Sequence, residues 1–225
     1  MLKNLINLFF PKVCLACTSA LVDNEVSICT NCRHDLPVTN FHFDESDEVK
    51  KVLFGRVKIE NATALLRFQK KGIVQHLIHN LKYRGHQEVG EFLGAWLGED
   101  LKTIDAYKDV DIVIPVPLHK RKLKKRGFNQ VTKFAKQIAD SLDASYSDSI
   151  LIKISDTKSQ VNKSRLARWT DSNEIFSIQN LGEINNKHIL LVDDLITTGA
   201  TIEACSNQLL KAKNIKISVA TMAIA

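Results

Sequence analysis

The sequence predicts an α/β fold, a mainly parallel doubly wound sheet with a small four-cysteine module at its N-terminal end. Three observations support this prediction: a buried strand followed by two acids and a small-residue turn, four cysteines within the first 32 residues, and alternating helix and strand patterns from about residue 59. Strands that alternate with helices are typical of parallel sheets. A chain of 225 residues that is 44% hydrophobic can form the core of such a domain.

The chain divides into three predicted regions. Residues 1–38 are a zinc module, residues 39–58 a connector with a cluster of acidic side chains, and residues 59–225 the α/β domain. The opening segment, MLKNLINLFFP, is short and interrupted by asparagines, so we interpret it as an amphipathic helix and not as a signal peptide. No segment approaches the roughly 18 apolar residues that a membrane span requires. The protein is therefore predicted to be cytoplasmic, without a membrane span.

The N-terminal cysteines form two CxxC pairs separated by eleven residues. Each pair can supply two thiolates from one tight turn, and two such turns complete a tetrahedral zinc site. The predicted ligands are Cys14, Cys17, Cys29 and Cys32. Disulfides are the alternative, although they are rare in cytosolic proteins. A site with four protein ligands is closed and structural, and loss of its metal is predicted to unfold residues 1–38 and leave the sheet intact.

From residue 59 onward, apolar positions alternate between helical and strand spacing. Strands are predicted at 62–68, 111–115, 150–154, 174–178, 187–192 and 215–222, and helices at 73–81, 89–101 and 131–142. Cys205 falls on a further helix, where a small buried residue is expected. Ligands of such sheets bind outside the carboxyl ends of the strands. The segments that follow residues 115 and 192 are therefore the candidate functional segments.

The segment KHILLVDDLITTGAT joins an apolar strand to a helix through two acids and a loop. We predict that Asp193 and Asp194 follow the strand end as an exposed, candidate catalytic pair. The loop directs backbone N–H groups and hydroxyls at one point, where the helix N-terminus favours an anion. The candidate phosphate loop comprises Thr197, Thr198, Gly199, Ala200 and Thr201. A phosphate beside two carboxylates suits a sugar phosphate with Mg²⁺, although an ordinary strand, turn and helix with an acidic cap is the alternative.

The segment DIVIPVPLHKRKLKKRGFNQ places a basic loop after a second strand. The strand-end residues are Pro115, Val116, Pro117 and Leu118, and the cations of the loop are Lys120, Arg121, Lys122, Lys124, Lys125 and Arg126. Such mobile cations suit a second, more highly charged phosphate group, although a solvated basic loop is the alternative. The net charge of +6 also suits an anionic partner, but charge alone does not separate nucleic acid from a phosphorylated metabolite.

Two of these strings resemble known family motifs. LLVDDLITTGAT resembles the phosphoribosyl pyrophosphate (PRPP) motif of type I phosphoribosyltransferases, and PVPLHKRKLKKRGFNQ resembles the signature of the ComF family, also called GntX-like or competence protein F-like. The double CxxC and LKYRG at 81–85 fall in the same order, so the resemblance spans essentially the whole chain. It implies a type I phosphoribosyltransferase fold with an N-terminal zinc finger. The signature positions carried over are Arg126, Gly127, Phe128, Asn129 and Gln130.

The resemblance also implies ligands and partners. PRPP would bind with Mg²⁺, the acidic pair at the ribose hydroxyls, the threonine loop at the 5′-phosphate and the PVPL segment at the pyrophosphate. Family members are linked to natural competence, the uptake of single-stranded DNA, together with a DNA helicase. Three hypotheses follow: a phosphoribosyltransferase whose acceptor is unassigned, a protein that handles single-stranded DNA with Phe128 and Trp169 as candidate stacking residues, and a non-catalytic PRPP sensor.

Two stretches depart from the family pattern. Lys153 takes the place of an arginine ahead of Thr157 and Gln160, and the arginine-rich run that normally follows is loosened. For this reason no role is assigned to Arg165 or Arg168.

Overall fold

The computed structural model describes residues 11–154 and 175–225. The predicted N-terminal helix, the stretch around Thr157 and Gln160, and Arg165, Arg168 and Trp169 lie outside the described residues. Along the described chain, none of the helices combines the length and hydropathy that a bilayer crossing requires.

A five-stranded sheet of wholly parallel pairs is the centre of the fold, with strand order β1-β7-β6-β2-β3. Its strands are β1 (Ala62–Arg67), β2 (Ile112–Pro115), β3 (Ser145–Tyr146), β6 (His188–Ile196) and β7 (Lys216–Ile224). The central strands β6 and β7 are buried along most of their length because helices cover both faces of the sheet. The predicted α/β fold with a parallel sheet is confirmed.

Helices lie on both faces of the sheet. Their bounds are α1 (Thr30–His34), α2 (Glu48–Leu53), α3 (Ile73–Tyr83), α4 (Glu88–Lys102), α5 (Lys120–Arg126), α6 (Thr132–Leu142) and α7 (Ala200–Leu209). One core contains apolar side chains of α3, α4 and α6, and the other contains those of α2 and α7. Alternate residues of β6 point into each, Leu190 into the first and Leu191 into the second.

Helices α4 and α6 pack closely because α4 presents glycines at helical spacing to its neighbour. A Cβ atom on Gly94 would lie 2.6 Å from the carbonyl oxygen of Phe134, and one on Gly98 would lie 2.7 Å from Oγ of Ser141. Phe134 itself is fully buried. The packed pair of helices, α4 and α6, covers the same face of the sheet as α3.

The structure corrects three sequence predictions, two about strands and one about the basic loop. The strands predicted at 150–154 and 174–178 form β4 (Leu151–Lys153) and β5 (Phe176–Ile178), an antiparallel pair outside the main sheet. Strand β6 does not end before the acids but continues to Ile196, because β7 is equally long and pairs with it throughout. The basic loop is a helix, α5, which begins after a cap at His119 and ends at Gly127, whose φ is +84°.

The segment predicted as a connector packs against the sheet. The N–H of Thr39 donates to the carbonyl oxygen of Leu65, and that of Arg67 donates to Pro37. His42 is buried, with its ring nitrogens 3.1 Å from Oγ1 of Thr63 and 3.3 Å from Oδ2 of Asp100. Residues 37–58 therefore cover the edge at β1 and lead into α2.

Candidate functional site

Asp193 and Asp194 lie on β6 near the carboxyl edge of the sheet. The sequence predicted an exposed pair beyond the strand, and this prediction is wrong in both respects. Pairing with β7 continues past the acids, as Leu195 with Ala223 and Ile196 with Ile224. Only 4% of Asp194 is exposed. A carboxylate so deep in the protein requires partners, because an unpaired buried charge is strongly destabilising.

Asp194 has those partners on two helices. Nζ of Lys82, at the end of α3, lies 2.7 Å from Oδ1, and Nε2 of Gln130 donates to Oδ2 over 2.6 Å. Arg126 in turn donates to Oε1 of Gln130, and its guanidinium lies 5.7 Å from the ring centroid of Tyr83. Asp194 is thus connected to the basic helix through one glutamine, and both of its oxygens are already engaged.

Asp193 has a different environment. Its Oδ1 accepts a hydrogen bond of 2.8 Å from the N–H of Asp194. Burial, with the neighbouring charge of Asp194 as the second cause, raises the pKa of Asp193 to about 8. Asp193 also lines a small cavity of about 40 Å³ together with the threonine loop. Asp193 is therefore the member of the pair that is placed to meet a ligand of the loop.

The predicted phosphate loop is assembled at the N-terminus of α7. Gly199 precedes the helix with φ of +72°, a left-handed conformation that glycine adopts readily. The exposed residues of the loop are Thr197, Thr198, Ala200 and Thr201. Backbone N–H groups of the first helical turn have no partner within the helix, so this turn is suited to bind an anion.

Sequence reasoning missed the residue that holds this loop. Arg56, which follows α2, donates to the carbonyl oxygen of Thr198 and to the carboxylate of Glu203. Gly199 is buried beneath α2, where a Cβ atom would lie 2.8 Å from Leu53 and 3.0 Å from Val52. Arg56 is 142 positions from Thr198 in the sequence, and no local sequence pattern predicts their contact. The role of this arginine is therefore evident only from the fold.

The second predicted segment lies beside the first, as expected of neighbouring strands. Pro115 pairs with Val192, and the N–H of Val116 donates to the carbonyl oxygen of Val192. Asn129 stabilises the turn that follows β2, because its Nδ2 donates a hydrogen bond to the carbonyl oxygen of Val116 over 2.9 Å. The signature residues therefore have structural tasks: Gly127 ends α5, Asn129 holds the strand-end turn, and Gln130 binds Asp194.

Helix α5 borders two clefts that Phe128 separates. The first, of about 550 Å³, is strongly basic and is lined by Lys82, Tyr83, Gly85, Arg121, Lys122, Lys125, Arg126 and Phe128. The second, of about 530 Å³, lies between Pro115–Leu118, α5 and β4, and its lining is more apolar. Among the described residues, no carboxylate lines the first cleft, so its chemistry suits a polyanion.

The four cysteines come together as predicted. Their sulfur atoms all lie within 4.8 Å of one another, and Sγ of Cys17 is 3.7 Å from Sγ of Cys29. Sulfur atoms bound to one zinc at about 2.3 Å in a tetrahedron would be separated by similar distances. Backbone N–H groups of Ala16 and Cys29 lie 3.4 and 3.3 Å from Sγ of Cys14. No disulfide joins any two of the four, and this donor set fits a metal ion such as zinc.

Cys205 is unrelated to this cluster. It is fully buried on α7, and burial raises its thiol pKa well above the ordinary value. The prediction of a small buried residue is confirmed.

Comparisons with known proteins agree with this arrangement. The phosphoribosyl transferase domain family matches residues 132–225. The chain is 29% identical over 218 residues to competence protein ComFC of Bacillus subtilis, covering 94% of this chain and 83% of that protein. It is 31% identical over 113 residues to competence protein F of Haemophilus influenzae, covering 50% of this chain and 49% of the relative. DNA utilization protein YhgH of Salmonella typhimurium is 25% identical over 138 residues, and the match covers 60% of each chain.

Proposed function

Because the chain belongs to the ComF family of phosphoribosyltransferase-like proteins, we propose that it binds PRPP with Mg²⁺ at the carboxyl edge of its sheet. The observation that carries the proposal is the side-by-side placement of two anion sites, the threonine loop after β6 and the basic cleft after β2, with Asp193 at the first. A ligand that fills both sites carries a phosphate at one end and a pyrophosphate at the other.

The roles of the side chains follow from their positions. The loop at Thr197–Thr201 binds the 5′-phosphate through N–H groups and hydroxyls. Asp193 accepts hydrogen bonds from the ribose hydroxyls, while Asp194 positions Lys82 and Gln130. The cations of α5 bind the pyrophosphate. Mg²⁺, when bound with PRPP, neutralises part of the pyrophosphate charge, and the oxygens of Asp193 can contribute to holding it.

At this site, transfer of the phosphoribosyl group would be promoted mainly by electrostatic stabilisation of the departing pyrophosphate. The bond between the ribose anomeric carbon and the pyrophosphate oxygen breaks, pyrophosphate leaves with the electron pair, and a nucleophile of the acceptor forms the new bond to that carbon. In this proposal the departing negative charge faces Arg121, Lys122 and Lys125 of the basic cleft, and Asp193 lies beside the ribose ring. The protein thus holds the reacting groups in place and balances their charge.

The test of PRPP binding is a calorimetric titration of Asp193→Asn with PRPP and Mg²⁺. We expect the affinity to fall roughly 10- to 100-fold, the scale of a hydrogen bond to a charged group. The variant should fold at least as well as the natural chain. A carboxyl group with a raised pKa destabilises the folded state as pH rises from about 4 toward that pKa, and an amide does not titrate.

Ribose 5-phosphate and pyrophosphate, titrated separately, serve as controls for the two halves of the site. Equal PRPP affinity in Asp193→Asn and in the natural chain would contradict the assignment of Asp193 to the ribose hydroxyls.

We further propose that the protein handles single-stranded DNA in DNA uptake, in contact with a helicase of the competence machinery. The names of its relatives support a role with DNA. The chemistry that supports it here is the surplus of positive charge on α5, which has no buried residue and presents six cations within seven positions. One pyrophosphate cannot contact them all, so several remain for the phosphates of a nucleic acid.

The triple variant Lys122→Gln, Lys124→Gln and Lys125→Gln tests this second proposal. Each lost phosphate contact should lower the salt slope of single-strand affinity by about 0.7. Fluorescence anisotropy of a labelled oligonucleotide at several salt concentrations measures the slope. The triple variant Lys58→Gln, Lys102→Gln and Lys213→Gln is a matched control, since all three lysines are exposed and lie outside the basic cleft. An unchanged slope in the triple variant would remove α5 from DNA binding and leave the PRPP proposal standing.

We also propose that the four-cysteine site holds one structural zinc. The donor set has four thiol groups, and thiolates are the ligands that structural zinc sites favour.

A further inference from the structure

We propose that the exposed face of α3 continues the basic surface of α5 into a track for single-stranded nucleic acid, with Tyr83 as a base-stacking residue. This inference rests on the proposed DNA-handling role. It specifies which surface binds the strand and that bases bind by stacking on an aromatic ring. Tyr83 ends α3, is 70% exposed, and lies between the two basic regions described below.

A second groove, whose charged residues are Lys71 and Arg84, lies on the other side of the end of α3. It has a volume of about 390 Å³ and runs between the first cysteine turn and the helix. Its polar and charged lining consists of Thr18, Lys71, Gln75, His76, His79, Asn80 and Arg84. As in the α5 cleft, no aspartate or glutamate is among the described residues that line it. Two grooves of one charge type thus flank the same helix.

The two grooves meet at consecutive residues. Arg84 lines the groove beside the cysteine module, while Tyr83 and Gly85 line the cleft beside α5. Helix α3 has 11 residues and is therefore about 16 Å long, so a strand laid along it reaches from the groove at the cysteine module to the cleft at α5. A polyanion of repeating phosphates is the ligand that matches cations spaced along such a path.

The exposed aromatic ring of Tyr83 lies where the two grooves meet. A site that binds phosphates alone does not need an aromatic ring. The ring of Tyr83 has its centroid 5.0 Å from that of His79, and the guanidinium of Arg126 lies 5.7 Å from it on the α5 side. Because most of the Tyr83 side chain is exposed, the ring does not gain the apolar burial through which a tyrosine usually stabilises a fold. Aromatic rings of this kind, set in a basic groove, bind unpaired bases by stacking. Because a duplex hides its base faces, the geometry favours a single strand.

The test compares two oligomers that differ only in their bases. Fluorescence anisotropy is measured with a labelled 20-mer of thymidine nucleotides and with an abasic 20-mer of equal phosphate count. Tyr83→Ala should weaken binding of the thymidine oligomer at least about fivefold and leave binding of the abasic oligomer nearly unchanged. Tyr83→Phe should retain the natural affinity. Phe54→Ala is the control for loss of an exposed aromatic ring, since Phe54 is 87% exposed and lines neither groove.

Charge on α3 is tested separately. Lys71→Gln and Arg84→Gln should each lower the salt slope by about 0.7 for both oligomers, because phosphates are common to both. The inference is overturned if Tyr83→Ala binds the thymidine oligomer as tightly as the natural chain, or if a duplex binds as tightly as the single strand. If the α5 triple variant weakens binding and the α3 variants do not, only this inference falls. If the natural chain binds no oligomer, the DNA-handling proposal falls with it, and PRPP binding is judged by its own titration.

Discussion

Replacing Cys14 and Cys32 by serine is expected to destabilise the whole described fold and not the cysteine module alone. Both side chains are buried, and both belong to the core cluster that contains Leu77 of α3 and Leu93 of α4. Structural zinc contributes on the order of 10 kcal/mol to the folding of small zinc domains, which is comparable with the total stability of an average protein. This expectation replaces the prediction from the sequence that the sheet survives metal loss.

Two contacts join the cysteine module to helices α3 and α4, so its unfolding is expected to destabilise them as well. Nδ2 of Asn80 on α3 donates to the carbonyl oxygen of Leu15 over 2.6 Å. The guanidinium of Arg33, on α1, lies 5.6 Å from the ring centroids of both Phe92 and Trp96 on α4. A module that unfolds leaves the amide of Asn80 without its acceptor and exposes the apolar surfaces of α3 and α4.

The measurement combines metal content with unfolding. We expect about one zinc per chain by elemental analysis of the reduced protein. A chelator should lower the melting temperature and shift the emission of Trp96, recorded in a Trp169→Phe background because the chain has two tryptophans. Cys205→Ala is the control, as this cysteine lies in the other core. Absence of zinc, or a chelator that leaves both signals unchanged, would contradict the prediction.

The second large effect is expected from Gly199→Ala in the candidate phosphate loop. Alanine at φ of +72° is strained, and its Cβ atom would lie 2.8 Å from Leu53 and 3.0 Å from Val52. Strain and overpacking together should lower the free energy of unfolding by roughly 2–4 kcal/mol. We also expect PRPP affinity to fall about 100-fold or more, because the displaced loop no longer aims its N–H groups at one point.

A matched variant separates the two causes. Gly55 has φ of +70°, yet in the described part of the chain no atom beyond its two sequence neighbours lies within 4 Å of the position of its Cβ. Gly55→Ala therefore carries the backbone strain without the collision and should lose only about 1 kcal/mol. Urea unfolding of both variants measures the difference. Equal losses would mean that the packing of α2 beneath the loop does not matter.

Helix α5 shows where a local signal was present but was interpreted differently. HKRKLKKRG combines a capping histidine, strong helix formers and a terminal glycine, which is the pattern of a short helix. The density of charge favoured a loop instead. In the structure, the ring of His119 accepts a hydrogen bond from the N–H of Arg121 and Gly127 ends the helix, so local capping outweighs repulsion between exposed lysines.

The sequence by itself determined the fold class, the two candidate functional segments at 115–130 and 193–201, and the cysteine set. These features are encoded locally: continuous apolar runs mark parallel strands, and two CxxC turns mark a metal site. Only the tertiary structure decided how deep the acids lie and what holds them. The length of β6 depends on its partner β7, and Asp194 depends on Lys82 and Gln130, which are 112 and 64 positions away. A buried charge must be paired wherever the fold provides a partner, and such pairs leave no periodic trace in the chain.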